Sequence, residues 1–147
     1  MKLSVDINGK SKLVSLAKIR SLVLATVVRA GKKIIPKKAS VSLSVNLVSS
    51  AKIRNLNKKT RGRDKATDVL SYPIAGWEQG IMAVEIGDLF ISENYIIKNS
   101  KQYNLRPKQY LELSIAHGTL HLLGLDHKTK KEKNKMLNFE QKILKQQ

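Results

Sequence analysis

All three histidines of the chain fall within eleven residues, "HGTLHLLGLDH", 117–127, and no other feature constrains the fold as tightly. His117 and His121 are four residues apart, so on a helix their imidazoles leave the same face one turn apart. Gly124 follows, a residue that takes the left-handed conformation without steric cost and so ends helices. A chain that doubles back there carries His127 towards the first two. A lone histidine among leucines is usually an ordinary core or surface group, and a pair at this spacing is often accidental. Three converging imidazoles with none elsewhere predict a metal site. Three protein ligands leave one tetrahedral position open, as in catalytic zinc sites; structural sites close all four positions, commonly with cysteine. The sequence has no cysteine, which excludes thiolate ligation and disulfides. The expected cofactor is one divalent ion, Zn2+ by preference, although three imidazoles also suit nickel, copper or iron. Asp126 could add a fourth ligand, but its natural role is to shape the turn or orient a ligand.

The spacing H-x-x-x-H-x-x-G-x-x-H is also that of a zinc protease helix. Such a helix carries a glutamate after its first histidine, the base that takes a proton from water. Here the position holds Gly118. Peptide hydrolysis is therefore disfavoured unless another carboxylate, such as Glu85 or Asp88, reaches in. Phosphodiester cleavage makes a different demand: charge builds on non-bridging oxygens, where a metal and an arginine can stabilise it. The charge balance agrees, with 28 Lys and Arg against 11 acids, a net +17. Such a surface suits a polyanionic partner, most often nucleic acid. A lysine-rich composition with a merely solvated surface is the plain alternative.

The 147 residues, 41% hydrophobic and 27% charged, match one globular domain, 1–147, able to bury its own core. No stretch approaches the roughly 20 apolar residues of a membrane span, and "MKLSVDING" lacks the features of a signal peptide. The expectation is a cytoplasmic protein with no membrane partner.

Periodicity predicts the elements. Residues 2–7 alternate weakly, as in a short strand. Leu13, Leu16, Ile19, Leu22, Val23 and Val27 predict a helix over 11–29. Val41, Leu43, Val45 and Leu47 alternate with Ser42, Ser44 and Asn46, the clearest strand signal in the chain, 41–48. A short helix over 49–56 leads to a basic loop, "NKKTRGRDKA". A third strand, "TDVLSY", stops at Pro73, and "IAGWEQG" is a turn-rich excursion. "MAVEIGDLFIS" reads as a fourth strand, bulged at Gly87. Helices follow at 93–103, from Pro107 to Leu123, and from a Thr129/Glu132 capping box to near Lys145. Together they predict an α+β fold with a small four-stranded mixed sheet.

"HGTLHLLGLDH" resembles the H-G-x-L-H-L-x-G-x-D-H signature of the YbeY family of bacterial endoribonucleases. "LNKKTRGRDKATDVLSYP", 56–73, is similar to that family's second motif, and "EIGDLFIS", 85–92, to its third. Thr60, Ala66, Tyr72 and Leu125 depart from the family pattern at packing or loop positions; no histidine does. The resemblance implies a zincin-like fold with helices packed around the sheet, zinc on His117, His121 and His127, and an essential arginine at Arg61. It implies a metal-dependent endoribonuclease directed at single-stranded RNA. The implied partners are rRNA precursors and ribosomal particles, in small-subunit rRNA end maturation and ribosome quality control.

Taken alone, Arg61 in "KKTRGRDK" reads first as one more solvated charge, and second as a bidentate clamp on a phosphate. Lys58, Lys59, Arg63 and Lys65 would form a general track for the RNA backbone. Asp68 and Asp88 read as turn or capping groups, and Tyr72 and Trp77 as candidates for base stacking. Two alternatives to the nuclease stand: a zincin-like hydrolase of another substrate, and a non-enzymatic ribosome- or RNA-binding factor with a structural metal.

Overall fold

The computed structural model describes residues 1–31, 35–74 and 83–145. In chain order these form β1 (Lys2–Asn8), α1 (Leu16–Gly31), β2 (Ser40–Leu47), α2 (Ser50–Arg61), β3 (Val69–Pro73), β4 (Ala83–Ile91), α3 (Glu93–Asn99), a short 3-10 helix (Ser100–Tyr103), α4 (Pro107–Leu122) and α5 (Lys130–Leu144). The excursion expected at 74–80 lies outside the described residues after Ile74, and Trp77 with it.

The sheet is four-stranded in the order β1-β2-β4-β3. The first two pairings are parallel and β3 is antiparallel to β4, so the expected mixed α+β architecture is present. The alternation in β2 sets its faces. Val41, Leu43 and Val45 are buried, while the serines between them point to the other face. The predicted bulge in β4 is a slip in pairing, from Ser42 opposite Glu85 to Leu43 opposite Gly87. β3 is an edge strand and includes Pro73 as its last residue. Proline donates no ladder hydrogen bond, which an edge strand tolerates.

Two helices differ from their predicted spans for local reasons. The first begins at Leu16 rather than residue 11. Ser11 Oγ accepts the Leu13 and Val14 N–H groups, at 3.2 and 3.1 Å, and Glu93 accepts the Lys12 N–H at 2.8 Å. Those side-chain bonds compete with helix formation. Ser15 then caps α1 through the Lys18 N–H. The second, α2, extends past residue 56 to Arg61, so half of the predicted basic loop is helical. Gly62, at φ 66°, supplies a left-handed C-cap. Lys58, Lys59 and Arg61 occupy the last turn, where the helix dipole favours cations. The predicted 93–103 helix tightens into the 3-10 segment after Asn99 and stops at Asn104, in the left-handed region at φ 55°.

α4 runs through the centre and packs against β3, β4, α1 and α5. Leu111, Ile115, Leu120 and Leu122 are fully buried. The buried Thr119 hydroxyl returns to its own helix, to the Ile115 carbonyl at 2.7 Å, while that of Ser114 lies 2.9 Å from both the Tyr110 carbonyl and Asp68 Oδ2. Being enclosed on several sides, α4 is a rigid base for whatever its last turn carries.

Candidate metal centre

The last two turns of α4 carry His117 and His121, and a Schellman turn delivers His127. Gly124, at φ 77°, gives its N–H to the His121 carbonyl at 3.0 Å, and Leu125 gives its own to Leu120 at 3.1 Å. These two bonds are the signature of that motif. Leu125 packs on the core, which fixes the exit direction. Asp126 Oδ1 then accepts the His127 N–H at 2.7 Å. That bond holds the Asp126 carboxyl below its ordinary pKa.

The three imidazoles converge. One ligand nitrogen from each lies within 4.8 Å of the others. The Nε2 atoms of His117 and His121 are 3.0 Å apart. Two nitrogens on a tetrahedral zinc, at about 2.0–2.1 Å each, stand roughly 3.3–3.4 Å from one another, so the observed spacing needs little adjustment. At this distance the two nitrogens either share a ring proton as a hydrogen bond or turn both lone pairs to a cation between them. Burial pushes the His121 pKa down to about 4, aided by the adjacent His117 and His127. His121 is thus neutral at physiological pH, the form that binds metal. The donor set fits the zinc expected from the sequence.

Arg61 faces the same space. A cavity of about 560 Å³ is lined by Arg61, Asp68, Ser71, His117, His121, Asp126 and His127, among others. The Arg61 guanidinium donates through Nη2 to the Ser71 carbonyl at 3.1 Å, and Ser71 Oγ donates to the Gly118 carbonyl at 3.2 Å. β3 therefore ties the end of α2 to the turn of α4 between His117 and His121. All four site residues expected from the sequence meet in one cavity, although Arg61 reaches it from a helix end.

The other carboxylates fall elsewhere. Glu85 is exposed at the far end of the sheet beside Lys2, Ser4 and Ser42. Asp88 accepts a hydrogen bond from Ser44 on β2. Neither lines the cavity. Asp68 does, but its oxygens accept from Thr67 at 3.0 Å and Ser114 at 2.9 Å, which joins β3 to α4. The Tyr72 hydroxyl is bonded to Thr60 at 2.9 Å, and its ring meets Phe90 edge-on at 5.6 Å.

Gly118 has a structural cause. A Cβ there would lie 2.9 Å from Leu89, 3.0 Å from Val69 and 3.2 Å from Ser71 Oγ. Glycine lets α4 approach the sheet, and a glutamate would be driven into β3 and β4. Gly118→Glu should lose about 2 kcal/mol or more of stability, from overpacking and an unpaired buried charge. Urea denaturation measures it, and a wild-type midpoint would show that the helix accepts a base at this position.

One participant escaped the sequence reading. Glu140 on α5 is buried, 8% exposed, and its Oε1 lies 2.7 Å from His117 Nδ1. The available signal is its place one turn after Met136, itself buried, which puts an acid on the apolar face of an otherwise lysine-rich helix.

Residues 5–147 match the family described as Endoribonuclease YbeY. The chain is 36% identical over 127 residues to the Endoribonuclease YbeY of Lactobacillus gasseri, covering 80% of this chain and 73% of the relative. It is 34% identical over 155 residues to that of Thermodesulfovibrio yellowstonii, covering 98% and 97%. The solution structure of TM1509 from Thermotoga maritima superposes with a TM-score of 0.61 at 26% identity, covering 97% of this chain and 87% of that one.

Proposed function

Because this chain belongs to the Endoribonuclease YbeY family, we propose that residues 1–147 act as one zinc-dependent endoribonuclease domain cleaving single-stranded RNA. Its substrates on this reading are rRNA precursors and ribosomal particles in the cytoplasm, in small-subunit end maturation and quality control. Among the described residues no helix is long and apolar enough to cross a membrane. The observation that carries the reading is the meeting of Arg61 with His117, His121 and His127 in one cavity.

His117, His121 and His127 would hold the ion, which when bound supplies a Lewis-acid centre beside the scissile phosphate. Arg61 supplies the second positive centre. One N–H is anchored on the Ser71 carbonyl, and a guanidinium has five, so others remain for phosphate oxygens. The cavity offers no protease-type base at residue 118, and Glu85 and Asp88 lie outside it, which weighs against the peptide-hydrolase alternative. Purified protein incubated with single-stranded RNA, with and without a chelator, tests the reading when the products are sequenced. Chelator-sensitive internal cuts are expected, with 5′-phosphate and 3′-hydroxyl ends from attack by water. A 2′,3′-cyclic phosphate would instead identify the substrate's own 2′-hydroxyl as nucleophile.

The basic track makes a separate prediction. Lys58 and Lys59 stand on the last turn of α2 beside Arg61, with Arg63 and Lys65 just beyond. Asp64 offsets part of that charge through Arg54 at 2.9 Å and Lys58 at 3.9 Å. Binding of a single-stranded RNA should weaken steeply between about 50 and 200 mM salt, as basic side chains displace counterions from phosphates. A filter-binding titration across that range reads the slope, and a flat response would make the charge decorative.

A further inference from the structure

We propose that Glu140 is a positioning residue of the metal centre, holding His117 in its metal-binding tautomer and coupling the docking of α5 to the ion. The inference rests on the metal reading of the three histidines.

An ionised carboxylate is an acceptor only. On this proposal His117 Nδ1, 2.7 Å from Glu140 Oε1, carries the ring proton and donates it. The lone pair is then on Nε2, the atom that faces His121 Nε2 at 3.0 Å. One carboxylate settles both which nitrogen is free and where it points. The contact comes from a separate element: Glu140 is 23 residues beyond His117 and reaches it because α5 packs on α4. Asp126, the acid nearest the site in sequence, is turned to His127, whose backbone N–H its Oδ1 accepts.

Burial explains why the pair couples to the ion. A carboxylate removed from water is costly unless a positive partner answers it. A neutral imidazole N–H answers it only in part. Metal on Nε2 makes the imidazole a stronger donor, so the Glu140–His117 bond tightens when the site fills. By linkage, whatever seats Glu140 raises metal affinity, and metal raises the stability of the α5 seat by the same factor.

The test is zinc affinity by competition with a chromophoric chelator, for wild type, Glu140→Gln, Glu140→Ala and Glu132→Ala. Glu140→Ala should bind zinc about 10–100-fold more weakly, the usual cost of losing an outer partner of a metal-bound histidine. Glu140→Gln should fall between it and wild type, keeping the bond without the charge. The absorption bands of the Co2+-loaded protein should shift in both. Glu132→Ala removes the α5 capping box, in which Glu132 Oε2 accepts the Thr129 N–H at 3.0 Å, but leaves Glu140 in place. It frays only the first turn of α5, about two turns before Glu140, so Glu140 stays seated, and affinity and bands should change far less than in Glu140→Ala. Equal affinity in Glu140→Ala and wild type, or an equal loss in Glu132→Ala, would overturn the assignment. If the Glu140 variants do not fold, wild type carries the test: zinc should slow amide exchange in α5 more than in β1, and equal slowing would overturn it. A wild-type protein that binds no zinc refutes the metal reading itself, a result distinct from all of these.

Discussion

RNA cleavage by Arg61→Lys should fall about 10²–10³-fold, the usual cost of losing one donor to transition-state charge, with fold and zinc content unchanged. The geometry gives the reason. Arg61 is exposed at the end of α2, and its guanidinium bonds the Ser71 carbonyl. The core does not depend on it. Its guanidinium donates to β3 through Nη2, and on the proposed reading its remaining N–H groups would meet a phosphate. A lysine ammonium keeps the charge but loses the planar two-point geometry, so it must choose between Ser71 and substrate. Single-turnover cleavage of a labelled RNA at matched metal content measures the effect. Wild-type cleavage by Arg61→Ala would remove Arg61 from the chemistry and return attention to Asp68 and Asp126, the acidic side chains lining the cavity.

His121→Ala should lose bound zinc by more than the roughly 10–100-fold expected for an outer partner, because a direct ligand goes. Elemental analysis should fall from near one equivalent to near zero, and cleavage with it, while far-UV circular dichroism stays unchanged. The fold should survive because the histidines stand at the rim of the core, His117 and His121 half-buried and His127 exposed. The apolar residues of α1, α4 and the sheet close the interior without them. RNA binding retained without cleavage marks an enzyme; loss of folding would mark a structural metal. A full metal complement in the variant would sink the ligand assignment.

Much of this site can be read from short spacings. His117, His121, Gly124 and His127 fall within eleven residues, the range in which helix periodicity and a glycine cap decide geometry. The Thr129/Glu132 box likewise forms as spaced, with bonds of 3.0 and 3.2 Å. Errors gathered where a side chain from elsewhere intervened. Glu93 draws off the Lys12 N–H and helps delay α1 to Leu16. In α2 the signal was present in Gly62 and the basic last turn, but the polar composition of 57–61 reads equally as loop.

The sequence by itself determined the three candidate ligands, the helix face shared by His117 and His121, the turn that returns His127 and the α+β alternation, because each depends on residues within one or two turns of one another. Only the tertiary structure decided why residue 118 is glycine, how Arg61 is aimed and what orients His117. Those answers lie in contacts to Val69 and Ser71 on β3, Leu89 on β4 and Glu140 on α5. Such contacts join residues far apart in the chain, and backbone propensity and periodicity carry no information over that distance. They exist once α4 is packed between the sheet and α5, and close packing then dictates which side chain fits each place.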